Sequence, residues 1–162
     1  MSYQSLKTGE TVDKRVAKVG LGAFLASSTN TPVTTACTRL LGTFTNVESE
    51  GFELDVPSGK LKYNPDDGLD RTFTLVMSGQ VNCPNVNDVA TIGLEVTRDE
   101  VAAIVAGTEV ATTCRTAGSP YSFSRVYPLS LEVGDLFEIQ IKGDASFTVS
   151  VDEFSTTLTK FY

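Results

Sequence analysis

After Thr38 the chain breaks into short segments in which apolar and polar residues alternate with a period of two. A segment of that kind has only one low-energy use, as a strand with one dry and one wet face. Phe52, Leu54 and Val56 alternate with Glu53 and Asp55, and Phe73, Leu75 and Met77 with Thr72, Thr74 and Val76. The pattern returns with Ile92, Leu94 and Val96, with Phe137, Ile139 and Ile141, and with Phe147, Val149 and Val151. Tight-turn sequences punctuate it: Asn64-Pro65-Asp66-Asp67-Gly68 and Lys142-Gly143-Asp144, with longer loops at Cys83-Pro84-Asn85 and Gly118-Ser119-Pro120. Between them lie about eight strand candidates, the number and spacing of a β-sandwich or jelly roll. Glu100 to Ala106 is Ala-rich and fits a helical turn, but Val101, Ala103 and Val105 also alternate, and a strand is expected there. Thr11 to Ser27 reads as one short helix or an extended arm, and Ser27 to Thr38 as linker or edge strand.

Composition excludes most chemistry. The 162 residues contain no histidine, which removes Ser-His-Asp, Cys-His and His-zinc sites. Asp and Glu number 20 against 13 Lys and Arg, a net charge of -7, and the basic residues form no face, so a nucleic-acid partner is not expected. The acidic residues Glu53, Asp55, Glu95, Glu138 and Asp152 occupy wet strand positions, and there is no Trp to stack a sugar, so a glycosidase is not expected either. Nothing indicates an enzyme. No apolar run reaches the length of a membrane span, and the start, polar from Met1 to Glu10, lacks a signal-peptide pattern, so a chain made in a cytoplasm and not exported by a cleaved signal is expected.

Three cysteines, Cys37, Cys83 and Cys114, are too few and too widely spaced for a readable disulfide framework. Free thiols are expected, with a bridge between two of them left open. No cofactor is expected, although two oxygen-rich loops are candidates for calcium, which needs several hard ligands at close range. The first holds Asn64, Asp66, Asp67 and Asp70, the second Asn82, Asn85, Asn87 and Asp88. Both also read simply as turns built on Asx side chains.

The stretch from Tyr127 to Ile141 reads as strand, Gly134-Asp135 turn, strand, with Leu129 and Leu131 inward before the turn and the apolar face resuming at Phe137. This leucine-rich strand followed by Gly-Asp and alternating apolar residues resembles the signature of the tumour-necrosis-factor and complement-head superfamily of jelly rolls. The aromatic strand Arg71-Thr72-Phe73-Thr74-Leu75 and the terminal strand Phe154 to Leu158 stand where that family has comparable strands. The resemblance covers residues 38 to 162 and implies an all-β jelly roll assembling as a homotrimer, preceded by an arm or linker over residues 1 to 37. It points to Tyr121, Phe123, Tyr127, Phe161 and Tyr162 as trimer-interface candidates. Because such jelly rolls recur as trimeric virion components, it further implies a capsid decoration (cement) protein on a bacteriophage head. That protein would bind the major capsid protein through the arm and be assembled in the host cytoplasm. A receptor-binding fibre or spike knob, or a soluble trimeric ligand or lectin-like module, are the other readings.

Overall fold

The computed structural model describes residues 18–25, 29–41, 44–48, 51–55 and 60–160. Among them the chain is all strand and turn, with no helix. The strands are β1 (Lys18–Leu25), β2 (Thr29–Val33), β3 (Thr38–Arg39), β4 (Phe44–Glu48), β5 (Phe52–Asp55), β6 (Lys60–Tyr63) and β7 (Arg71–Asn82). They continue with β8 (Val89–Arg98), β9 (Val101–Ile104), β10 (Val110–Thr113), β11 (Tyr121–Leu131), β12 (Leu136–Gly143) and β13 (Phe147–Lys160). The stretch following Asp99 that could read as helix or strand is therefore a strand over Val101–Ile104.

The strands form two sheets. Sheet A runs β11-β7-β13-β1-β4, with β2 also on β13, and sheet B runs β10-β8-β12-β6-β5, with β3 on β12 and β9 on β8. Each dry face needs a cover, and the two cover each other. Phe73, Leu75, Met77 and Val81 of β7, with Val149, Val151, Phe154 and Leu158 of β13, face Ile92, Leu94, Phe137, Ile139 and Ile141 of sheet B. At one end four rings lock the sheets together. Phe52 lies 5.2 Å from Tyr63, 5.5 Å from Phe73 and 5.6 Å from Phe137, spacings at which edge-to-face aromatic attraction adds to burial. Tyr63, 1% exposed, satisfies its hydroxyl by donating to the Leu69 carbonyl at 2.9 Å.

β13 keeps its apolar residues inward by means of a bulge. Val149 and Val151 face the core at odd positions, Phe154 and Leu158 at even ones. The register against β7 slips between Asp152 and Ser155, where Glu153 takes a φ of 50°. One extra residue inverts the alternation, so Phe147 to Val151 and Phe154 to Leu158, which the alternation presents as two segments, are one strand.

The Gly134-Asp135 turn is tight as expected but does not close a hairpin. β11 belongs to sheet A and β12 to sheet B, so the turn carries the chain across the sandwich. Gly134 supplies the left-handed conformation (φ 98°), and the Asp135 carboxylate, 2% exposed, accepts the Glu132 amide at 2.8 Å. Arg98, at the end of β8, donates to both Asp135 oxygens at 2.9 and 2.6 Å, and this bidentate hydrogen bond raises the arginine pKa further. The corner is thereby tied to sheet B.

The segment read as an arm differs from that expectation. β1 lies between β13 and β4, and β2 pairs with Phe147 to Val151, so Lys18–Leu25 and Thr29–Val33 are strands of sheet A. The physical reason is the length of β13, whose side away from β7 would otherwise present unpaired backbone groups. Deleting residues 1–33 should accordingly abolish cooperative thermal unfolding, followed by circular dichroism. Asp135→Ala, which leaves the Glu132 amide without its acceptor and takes from the half-exposed Arg98 its bidentate partner, should lower stability by about 1 to 2 kcal/mol in urea titration.

Candidate functional site

The two sheets turn chemically different faces to solvent. On sheet B the outward positions carry charge. The Lys60 ammonium reaches Glu95 at 2.8 Å and Glu138 at 3.1 Å, Arg39 also pairs with Glu138, and Lys142 meets Glu109 at 2.8 Å. Glu95 and Glu138 stand directly opposite each other on β8 and β12, a repulsive arrangement that the shared Lys60 reverses. Burial works against ionisation of Glu138, but hydrogen bonds from Lys60 and Arg39 outweigh it and hold its carboxyl below the ordinary value. Burial likewise opposes the Lys60 charge, and its hydrogen bonds to Glu95 and Glu138 outweigh that and raise its pKa.

Sheet A is different. The outward positions of β7 are Thr72, Thr74, Val76, Ser78 and Gln80, those of β11 are Ser122, Ser124, Val126, Pro128 and Ser130. Register aligns them in rows that continue onto β13: Ser124 beside Ser78 beside Ser155, Val126 beside Val76 beside Thr157, Pro128 beside Thr74 beside Thr159. None of the residues in these three rows is charged, in a chain whose residues are 20% charged, and charge returns in the adjoining row, where Ser122 and Gln80 stand beside Asp152 of β13. Val126 is 61% exposed and Val76 36%, so the middle row presents bare aliphatic surface. Hydroxyl pairs, Thr72 with Ser130 at 2.9 Å and Ser78 with Ser155 at 3.0 Å, partly satisfy the flanking rows within the sheet.

β11 is the edge strand of this sheet, and along it runs an open cleft of about 580 Å³. Val96, Val101, Ile104, Tyr127, Pro128 and Leu129 line it, with Arg98 at one end. Pro128 and Ser130 belong to both the face and the cleft, which makes the two continuous.

No protein-family model matches the chain, and no curated protein matches it in sequence. Solved structures do match in shape. The structure of Eiger TNF from S. frugiperda aligns over 89% of this chain and 93% of its own, at 12% identity with a TM-score of 0.59. The crystal structure of murine APRIL at pH 5.0 aligns over 83% and 99%, at 12% identity with a TM-score of 0.51. The fold is a tumour-necrosis-factor-like jelly roll. At this identity the likeness concerns the fold alone.

Within the jelly roll, the interface candidates on β11 lie on the core-facing side of their strand. Phe123 is 6% exposed, with its ring 6.1 Å from that of Phe154 and packed over Gly79, so it is engaged inside the protomer and unavailable to a partner. Tyr127 is half-buried over Gly107, whose φ of 90° and lack of a side chain admit the ring: a Cβ there would come within 2.5 Å of it. Tyr121 is half-buried against the core. Phe161 and Tyr162 lie outside the described residues. The signal that locates the uncharged face, the lack of charge at outward positions in Arg71–Asn82 and Tyr121–Leu131, was present in the sequence but carried by Ser, Thr and Val rather than by aromatics.

The calcium candidates are occupied with turn closure. Asn64 donates to Glu53, Asp67 accepts from the Leu69 amide and pairs with Arg71, and Asp70 accepts the Val133 amide at 2.9 Å, in different directions. Asp66 is exposed. In the second loop Asn82 donates to the Gly118 carbonyl, Asp88 accepts from the Asn85 amide and side chain, and Asn87 takes a φ of 71°. Among the described residues no three His, Cys, Asp or Glu side chains converge on one point.

The ion pairs give stability a defined pH window. The depressed Glu138 contributes above its ordinary value of 4.5 and loses its contribution as the pH falls through its folded value, while the raised Lys60 contributes below 10.5 and loses its part as the pH rises beyond. Glu138→Gln should therefore cost about 1 to 2 kcal/mol at pH 7, and the cost should shrink as the pH is lowered below 4.5 through the folded value, read from urea midpoints over an acid series.

Proposed function

We propose that this chain is a non-catalytic module that self-associates as a homotrimer through the outer face of sheet A, and that it serves as a decoration protein on the outer surface of a virion. The observation that carries the self-association is the contrast between the two faces. Burying a charged sheet face strands charges that must be paired or desolvated at a cost of several kcal/mol. The β7, β11 and β13 rows described above can be buried without that cost, and the exposed Val76 and Val126 gain from it. Sheet B, laced with ion pairs, is suited to remain in water.

The face and the edge cleft adjoin at Pro128 and Ser130, but the cleft's Val101 and Ile104 belong to β9 of sheet B. A contact of the face of one copy with the Val101 and Ile104 edge of the next is heterologous, and such contacts close into a ring when the rotation allows. On a capsid lattice each trimer would add weak symmetric contacts to the major capsid protein. The shared fold with Eiger TNF and APRIL supports a second reading, a soluble ligand, which uses the same assembly and differs only in what the outward loops touch.

Light scattering at pH 7 should give a mass near three protomers of 17.3 kDa. Val126→Glu and Val76→Lys should each reduce it to one protomer with unchanged circular dichroism, while Thr91→Glu on the outer face of sheet B leaves it unaltered. A wild-type monomer at micromolar concentration, or trimers in both sheet A variants, would refute self-association through this face.

A further inference from the structure

Two of the three cysteines meet at the end of the sandwich where β7 and β10 run out. Cys83 opens the β7–β8 loop and Cys114 opens the β10–β11 loop, and both are fully buried. The two loops are stitched together around them. The Cys83 carbonyl accepts the Gly118 amide at 3.0 Å, the Cys114 amide donates to the Asp88 carbonyl at 2.9 Å, and the Cys114 carbonyl accepts the Asn87 amide at 2.7 Å. The Asn82 side chain donates to the Gly118 carbonyl at 3.0 Å. Burial first, then the neighbouring Cys114 thiol, push the Cys83 pKa well up. Both are reduced in the structure, and Cys37 is exposed.

We propose that Cys83 and Cys114 form an intramolecular disulfide that clips the β7–β8 loop to the β10–β11 loop, leaving Cys37 as the free thiol. The hydrogen bonds that tie the β7–β8 loop to the β10–β11 loop gather both buried cysteines into one knot, the placement that a disulfide between them requires. The oxidant is a small-molecule disulfide of the glutathione type. One cysteine thiolate attacks it, its S–S bond breaks, and one glutathione thiolate leaves. The second cysteine thiolate then displaces the other glutathione from the mixed disulfide. Two electrons pass from the cysteine pair to the oxidant, and the two thiol protons end on the two glutathione thiols. Because both sulfurs are sealed and their thiolates disfavoured in the folded state, the exchange takes place while the loops are open, during folding.

The bridge closes a long loop that includes β8, β9 and β10, and such a crosslink raises the unfolding temperature by restricting the unfolded chain. The full chain, unfolded and refolded in mixed reduced and oxidised glutathione, should, once denatured, take up one maleimide per chain, at Cys37. Trypsin cleaves at Arg98, between the two cysteines, so an unreduced digest should yield the Cys83 and Cys114 peptides as one joined species. Dithiothreitol should lower the melting temperature by about 5 to 15 °C. Cys37→Ser should show the same shift and the Cys83→Ser, Cys114→Ser double variant none. If the double variant fails to fold, wild type and Cys37→Ser with and without reductant decide. Three maleimides per chain, a joined peptide containing Cys37, or a bridge whose reduction leaves the melting temperature unmoved would overturn the proposal.

Discussion

Covering one dry sheet face with another is the constraint from which the rest of this molecule follows. The strands around Phe73, Ile92, Phe137 and Val149 turn their apolar half inward, and the two halves meet in a core that includes the Phe52, Tyr63, Phe73 and Phe137 rings as well as Val33, Val149 and Cys83. Where the chain has to change sheet or direction, polar groups are recruited to keep that contact intact. Asp135 and Arg98 hold the β11–β12 corner, and Thr108, itself fully buried, accepts from the Leu94 amide and donates to the Val105 carbonyl to seat the β9–β10 turn.

Once the inward faces are matched, the outward faces are free to differ, and it is there that the sequence expresses a division of labour. Charge concentrates on sheet B in pairs that share partners, as Lys60 does between Glu95 and Glu138. The rows of sheet A from Ser124 to Pro128 carry hydroxyls, a proline and two valines instead. A fold that is common to proteins of unrelated sequence tells little about what a particular member touches, whereas this asymmetry is a property of this chain.

Much of the fold was legible because alternation is a local signal. The strands around Phe73, Ile92, Phe137 and Phe147 stand where their patterns place them. Less legible were features that depend on distant partners. The bulge at Glu153, which fuses two segments of opposite parity, requires knowing that β7 runs alongside. The strands at Lys18–Leu25 and Thr29–Val33, in a stretch that reads as an arm, form because β13 is long enough to need neighbours on its second side. The Gly134-Asp135 turn has the residues of a hairpin, and only the global topology makes it a crossover. For the interaction site, looking for aromatics led to Phe123, which the core had already claimed, while the informative pattern was an absence of charge in the rows from Ser124 to Pro128, which three strands distant in sequence share.

That absence has a kinetic side. Protomers with a net charge of -7 repel one another at a distance, and a face of hydroxyls and valines offers no opposing field to steer them together. Encounters through sheet A are therefore governed by screening of the overall repulsion, so added salt speeds association through this face, the reverse of what is seen when oppositely charged surfaces dock. A surface of this kind tolerates changes in ionic strength well, since its attractive part is short-ranged and its long-range part only weakens as ions are added.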